Sequence, residues 1–215
     1  QVLRGAGENT SENTSLASGL SVGTGTRLLN TSKLHTQGSL INTGNSLDIS
    51  IEGDGFFQIL MPDGQIGYTR SGAFMRNSEG TVVTPSGYPI QPEIQIPADT
   101  SSITVASDGI VTVQTPGDVA AQEVGQITLA DFVNRQGLQP NGESMFVETP
   151  ASGAPIVAAP FAEGMGRVVQ GSLESSNVNV VQELVDMIET QRAYEVSSKT
   201  ITSVDEMMRF IAQNI

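Results

Sequence analysis

Few side chains in this sequence have chemistry to offer. His35 is the only histidine and stands among Thr and Gln. A histidine base needs a nucleophile to activate, and no GxSxG or similar motif accompanies it, so His35 reads as a surface residue. Gly23-Thr24-Gly25 and Gly53-Asp54-Gly55 begin like a dinucleotide-binding loop. The third glycine is missing from both and neither opens a helix, so both read as turns. Asp54, Asp63 and Asp108 each precede a glycine. That is turn chemistry, and the spacing does not match a calcium-binding loop. Glu143 and Glu148 could pair as carboxylates, but no aromatic-rich pocket signature accompanies them. With no cysteine in the chain, thiolate metal sites, disulfides and thiol catalysis are excluded. The sequons at Asn9, Asn13 and Asn30 are what chance produces in a chain rich in Asn, Ser and Thr. No catalytic, cofactor-binding or metal-ligating residue is expected, and the chain is not expected to be an enzyme.

Charge and composition narrow the rest. Ten basic against 23 acidic residues give a net charge of −13. Binding a phosphate backbone takes a basic stripe, and none exists, so nucleic acid is excluded as a partner. An anionic membrane surface would repel the chain, and no apolar run of 18 residues is present to insert directly into a bilayer. Charged residues are 15 % of the chain and aromatics 5 %, with 23 glycines and no tryptophan. That profile fits a β-rich protein with many turns rather than alternating helices and buried strands. The opening from Gln1 is neither basic nor apolar like a cleaved signal peptide. Zero Cys suits a protein that crosses an export channel unfolded and then meets an oxidising space.

Three regions follow from the hydrophobic pattern. Residues 1–46 are a Ser/Thr/Gly-rich segment with isolated Leu16, Leu20 and Val22, too little apolar area to fold alone. Residues 47–170 read as a β-rich outer domain. Leu47–Glu52 alternates apolar and polar, Gly53–Gly55 turns, and Phe56–Met61 is the next strand. Further strands are expected at Tyr68–Phe74, Thr81–Val83, Ile94–Ile96, Ile103–Val105, Asp108–Val113 and Ile127–Leu129. A short helical turn is expected within 131–137 and a Pro/Gly/Ala-rich loop over 150–166. Since successive residues of a strand face opposite sides, at least one of Phe56 and Phe57 should anchor the core.

Residues 171–215 end in a helix. From 178 onward there is no Gly or Pro, and Val180, Leu184, Met187, Tyr194, Ser198, Ile201, Met208, Ala212 and Ile215 follow a 4-3 rhythm once Gln191 and Asp205 fill two places. That spacing is a heptad seam, with Asn177 or Asn179 as the N-cap. A helix of about 37 residues runs about 55 Å, far beyond a domain whose radius of gyration is near 14 Å. Its seam therefore calls for a partner helix, and the sequence offers no second helix of that length. The fold class is mainly β with a long C-terminal α-helix: an irregular all-β sandwich or barrel-like domain plus a coiled-coil-forming terminal helix.

Four blocks resemble one known family. Leu47-Asp48-Ile49-Ser50-Ile51-Glu52-Gly53-Asp54-Gly55-Phe56-Phe57 is similar to the signature of the bacterial flagellar rod and hook proteins, and Tyr68-Thr69-Arg70-Ser71-Gly72-Ala73-Phe74 follows at that family's spacing. Gly87-Tyr88-Pro89-Ile90-Gln91-Pro92 resembles its next block. Gln170-Gly171-Ser172-Leu173-Glu174-Ser175-Ser176-Asn177 and Met187–Glu195 resemble the entry to its C-terminal helix and the helix itself. The resemblance implies a structural subunit of the distal rod of the basal body, polymerising into a hollow helical tube that spans the periplasm and transmits torque from motor to hook. It also implies type III export without a cleaved signal peptide, and no cofactor. The implied partners are further copies, other rod subunits, the hook protein, and the P-ring and L-ring proteins around the rod. The assembly interface is then expected along Val180, Leu184, Met187, Gln191, Tyr194, Ile201 and Met208. The family begins with an N-terminal helix and an Asn-rich motif that are not seen here, so about 45 residues, including the partner helix, are expected to be absent.

Two other readings stay open. One is a proximal rod or hook-type subunit of the same family. The other is a phage-tail or adhesin-like β binding module with a trimeric stalk, which would also join acidic β repeats to a heptad helix. Light scattering separates the second, since a stalk closes as a trimer and a rod subunit gives monomers or open polymers.

Overall fold

The computed structural model describes residues 2–4, 9–11, 14–15, 20–21, 31–117 and 120–213. The chain divides into two units, Gln1–Leu34 and His35–Ile215. In the first, Val2–Arg4 pairs antiparallel with Leu20–Ser21, and Asn9–Ser11 with Thr14–Ser15. Asn13, Asn30 and the Gly23-Thr24-Gly25 stretch lie outside the described residues.

The second unit is mainly β, with one described α-helix at its C-terminal end. Its largest sheet has seven strands. Phe56–Leu60 lies at the centre, flanked by Ile66–Thr69 on one side and by Leu129–Asp131 and Ile90–Gln91 on the other, all antiparallel. The sheet continues through Met145–Val147 to Gln139–Gly142 at one edge, and through Leu129–Asp131 to Ile156–Ala158 at the other. The two edges belong to different strands, so the sheet is open and no barrel closes. A three-stranded meander, Ser102–Val105, Ile110–Gln114 and Gln122–Gln126, packs against it.

Phe56 and Phe57 are both buried, on opposite faces of the central strand. Phe57 enters the main core with Ile49, Ile51, Phe74, Val105, Val111, Val113, Ile127 and Leu129, so this core joins the large sheet to the meander. Its ring meets Phe74 edge-on at 5.2 Å. Phe56 enters a second cluster with Tyr68, Ala130, Phe132 and Leu138. Both aromatics anchor a core because the sheet is covered on both faces. Burial drives the Tyr68 phenol up to about 12, with the Glu148 carboxylate adding to the shift.

Several local expectations need correction. Ile94–Ile96 forms no strand; Thr81 and Gln95 make an isolated bridge instead, while Ile94 and Ile96 still bury their side chains. Ile127–Leu129 straddles the junction between the strands Gln122–Gln126 and Leu129–Asp131, where the Ile127 N–H donates to the Gly109 carbonyl at 2.8 Å. The 150–166 segment is not wholly a loop, because Ile156–Ala158 adds the edge strand next to Leu129–Asp131. His35 is not a plain surface residue. It is half buried, edge-on to Phe146 at 5.2 Å and to Phe56 at 5.9 Å. The expected turn within 131–137 is a 3-10 turn at Arg135–Gly137. Asp63 and Asp108 do close turns, accepting from the Gln65 and Ile110 N–H groups at 3.1 Å.

The chain enters and leaves this β domain side by side. Leu40–Asn42 pairs antiparallel with Ser172–Glu174. The junction extends from the Thr43 and Gly44 N–H groups on the Gly171 carbonyl to Asn177, whose side chain donates to Thr36. Arg70 ties three distant segments together here. Its guanidinium donates to the carbonyls of Gly53 and Gly55 at 2.9 and 2.7 Å and to the Glu174 carboxylate at 3.0 Å. The other carboxylate oxygen of Glu174 accepts the Gly38 N–H at 2.8 Å. A Cβ at Gly38 would collide with the Ser175 carbonyl oxygen, which explains glycine at that close approach. Charge-assisted bonds of this kind contribute about 1.5–3 kcal/mol. Arg70→Ala is therefore expected to lower β-domain stability by about 2–3 kcal/mol, read as a fall in the denaturant midpoint. Arg70→Lys keeps the charge without the planar fork and should recover less than half of that loss. A midpoint unchanged in Arg70→Ala would show the clamp to be dispensable.

Candidate assembly surface

The helix Val180–Gln213 is 34 residues long, about 51 Å at 1.5 Å per residue. Asn179 starts it: its side-chain oxygen accepts the N–H groups of Val181 and Gln182 at 3.1 and 3.4 Å. Of the two capping candidates, Asn179 therefore fills the role, and Glu183 adds an acid to the first turn, where the helix dipole favours it.

Every described side chain along the helix is exposed. Of the expected interface, Val180 is 66 % accessible, Leu184 49 %, Met187 50 %, Tyr194 78 %, Ile201 65 % and Met208 65 %. Gln191 is exposed with them. The heptad positions thus share one helix, with the polar Gln191, Ser198 and Asp205 interrupting the apolar ones. Ile215 lies outside the described residues. The seam template leaves out Val181, Val185, Ile188, Val204, Met207 and Ile211, which are also apolar and exposed. Their signal in the sequence is a second apolar residue beside or one turn away from a seam position. Between the apolar stretches, the hydroxyls of Thr190, Ser197, Thr200 and Thr202 donate to the carbonyls four residues back at 2.7–2.8 Å. The middle of the helix therefore alternates these small side chains, whose hydrogen bonds are already made, with the exposed Tyr194, Val196 and Ile201.

Titratable groups with shifted affinities have structural causes. Arg135 bonds to Asp131 and Asp54 at 2.6–2.7 Å. This pair lowers the Asp54 pKa, mainly through the hydrogen bond from Arg135, and raises that of Arg135, mainly through Asp131. Among the described residues, no group of His, Asp and Glu could hold a metal ion, and no helix is long and apolar enough to cross a membrane.

Comparison with known proteins agrees with this architecture. Residues 50–113 match a family model described as the flagellar hook protein FlgE/F/G D1 domain, and residues 169–214 match one described as the flagellar basal body rod FlgEFG protein C-terminal. The flagellar basal-body rod protein FlgG of Buchnera aphidicola subsp. Acyrthosiphon pisum is 48 % identical over 99 % of this chain and 82 % of its own length. FlgG of Agrobacterium fabrum is 45 % identical over 92 % of this chain and 75 % of its own length. The rod protein FlgF of Escherichia coli is 34 % identical over 80 % of this chain and 69 % of its own length. With relatives this similar along nearly its whole length, the chain belongs to the FlgG family of flagellar basal-body rod proteins.

Proposed function

We propose that this rod protein is a structural subunit of the distal rod, polymerising into a hollow helical tube that carries torque across the periplasm. The observation that carries the mechanism is the 34-residue helix that exposes apolar side chains along its whole length beside a complete, separately cored β domain. Exposed apolar area of that extent is stabilised by burial against other chains. In this reading residues 1–46 form an extended segment, residues 47–170 the outer domain, and residues 171–215 the assembly element. Val180, Leu184, Met187, Gln191, Tyr194, Ile201 and Met208 meet neighbouring helices, and the protein's work is mechanical, with no catalysed reaction. The outer domain faces other rod subunits, the hook protein and the P-ring and L-ring proteins. A proximal or hook-type role is less favoured, since the FlgG relatives reach 48 % identity against 34 % for FlgF.

The test is Leu184→Glu combined with Tyr194→Glu. Both side chains are exposed, so the β domain should melt as in the parent, while incorporation into rods and swimming should be lost. Normal rods from the double variant would overturn this reading of the helix.

A further inference from the structure

Every described side chain of the helix is exposed, so the two stems alone set the direction in which it leaves the β domain. The stems pair over only three residues each, Leu40–Asn42 against Ser172–Glu174. A two-stranded ribbon that short holds no fixed angle by itself. At its base Gly44 and Gly171 lie side by side, with φ of +72° and +74°. The Gly44 N–H donates to the Gly171 carbonyl, and a Cβ on Gly171 would lie 3.9 Å from the Gly44 Cα. Glycine at the same level of both strands makes this the place where the ribbon bends most easily.

A closed circuit of bonds spans that pivot. The Gln37 side-chain amide donates to the Ile51 carbonyl at 3.0 Å and accepts the Gly53 N–H at 3.1 Å. It pairs with the edge of Ile49–Glu52 as a peptide group of a further strand would. The carbonyl of the same Gly53 accepts from Arg70, Arg70 donates to Glu174, and Glu174 accepts the N–H of Gly38, the residue after Gln37. Gly53 is thus gripped from both sides, and the incoming and outgoing stems are held to one turn. The Arg70 and Glu174 side chains are only 23 % and 11 % exposed, so water screens this pair weakly. The stem from Gln37 to Gly44 spans about 20 Å when extended, and a ribbon held at two points that far apart cannot swing. The Asn177 side chain, bonded to Thr36, carries the hold to within two residues of the helix cap Asn179. We infer that Gln37, Gly53, Arg70 and Glu174 lock a glycine hinge, so that the β domain and the root of the helix move as one lever rather than as a bead on a tether. Gln37 and Arg70 are positioning residues, and neither belongs to a hydrophobic core.

The native chain has no cysteine, so introduced thiols carry spin labels cleanly. Val133→Cys marks the β domain and Val181→Cys the first turn of the helix; the native side chains there are 87 % and 70 % exposed. The distance between the labels is measured by pulsed electron spin resonance on the full chain, diluted with unlabelled chain so that only labels within one molecule couple. The expected result is one narrow distribution in the labelled parent. Gln37→Ala should widen it, and Gln37→Ala with Arg70→Ala should at least double its width, while circular dichroism shows the β domain still folded. A broad distribution in the parent would overturn the inference, as would an unchanged width in the folded double variant. If the double variant fails to fold, Gln37→Ala decides, because it alters an exposed side chain outside both cores; an unchanged width there would also overturn the lock. These readings need no assembly, so failure of the lock and failure of the proposed rod role are distinguishable.

Discussion

Phe57→Ala is expected to destabilise the β domain by about 4 kcal/mol, and Phe56→Ala by about 3–4 kcal/mol. Phe57 is fully buried where the large sheet meets the meander, with Phe74 edge-on against it, so truncation leaves a cavity between two rigid layers. Phe56 sits on the opposite face against Phe132 and Phe146, at 6.3 and 6.2 Å. The second cluster is smaller and includes the partly buried Phe146, so it has more room to relax. Denaturant midpoints of both single variants measure the two losses. The double variant should lose close to the sum, because the rings share no cluster, and a loss of that size approaches the total stability of an ordinary domain. If either single variant melted with the parent, the view of a strand covered on both faces would fail.

Ile188→Pro should separate folding from assembly. Proline in a helix interior costs about 3 kcal/mol or more, since it removes an N–H donor and its ring clashes with the carbonyl four residues back. Here that carbonyl belongs to Leu184, one turn into the helix. The β domain should keep its melting temperature, because Ile188 is 47 % accessible and takes no part in either core. Rod incorporation and swimming should be abolished. Ile188→Ala is the control: it shortens the side chain yet favours the helix, so it should assemble at least in part. A Pro variant with a destabilised β domain and normal rods would mean that the helix belongs to the domain rather than to the assembly.

What could be read from the residues follows the range of the physics. The alternation through Ile49–Glu52, the glycine turn and the aromatic pair depend on neighbours a few residues apart, and those elements stand where the pattern puts them. The helix, free of Gly and Pro and capped by an Asn, was equally plain. Ile156–Ala158 was hidden because its strand character comes from pairing with Leu129–Asp131, not from its own composition. His35 was misplaced because Phe56 and Phe146, the rings that bury it, are distant in sequence. The Arg70–Glu174 clamp spans 104 residues, and no local pattern marks such a bond. The heptad template admits only one stripe, so it leaves out Val185 and Val204, which are also exposed.

The paired crossing at Leu40–Asn42 and Ser172–Glu174 makes the β domain an insert with a single doorway. Whatever lies between Asn42 and Ser172 can grow, shrink or be exchanged without moving the two stems, provided the doorway keeps its width and its arginine latch. An exchanged segment would have to bring its own equivalent of Arg70, which lies inside the crossing and bonds to Glu174 outside it.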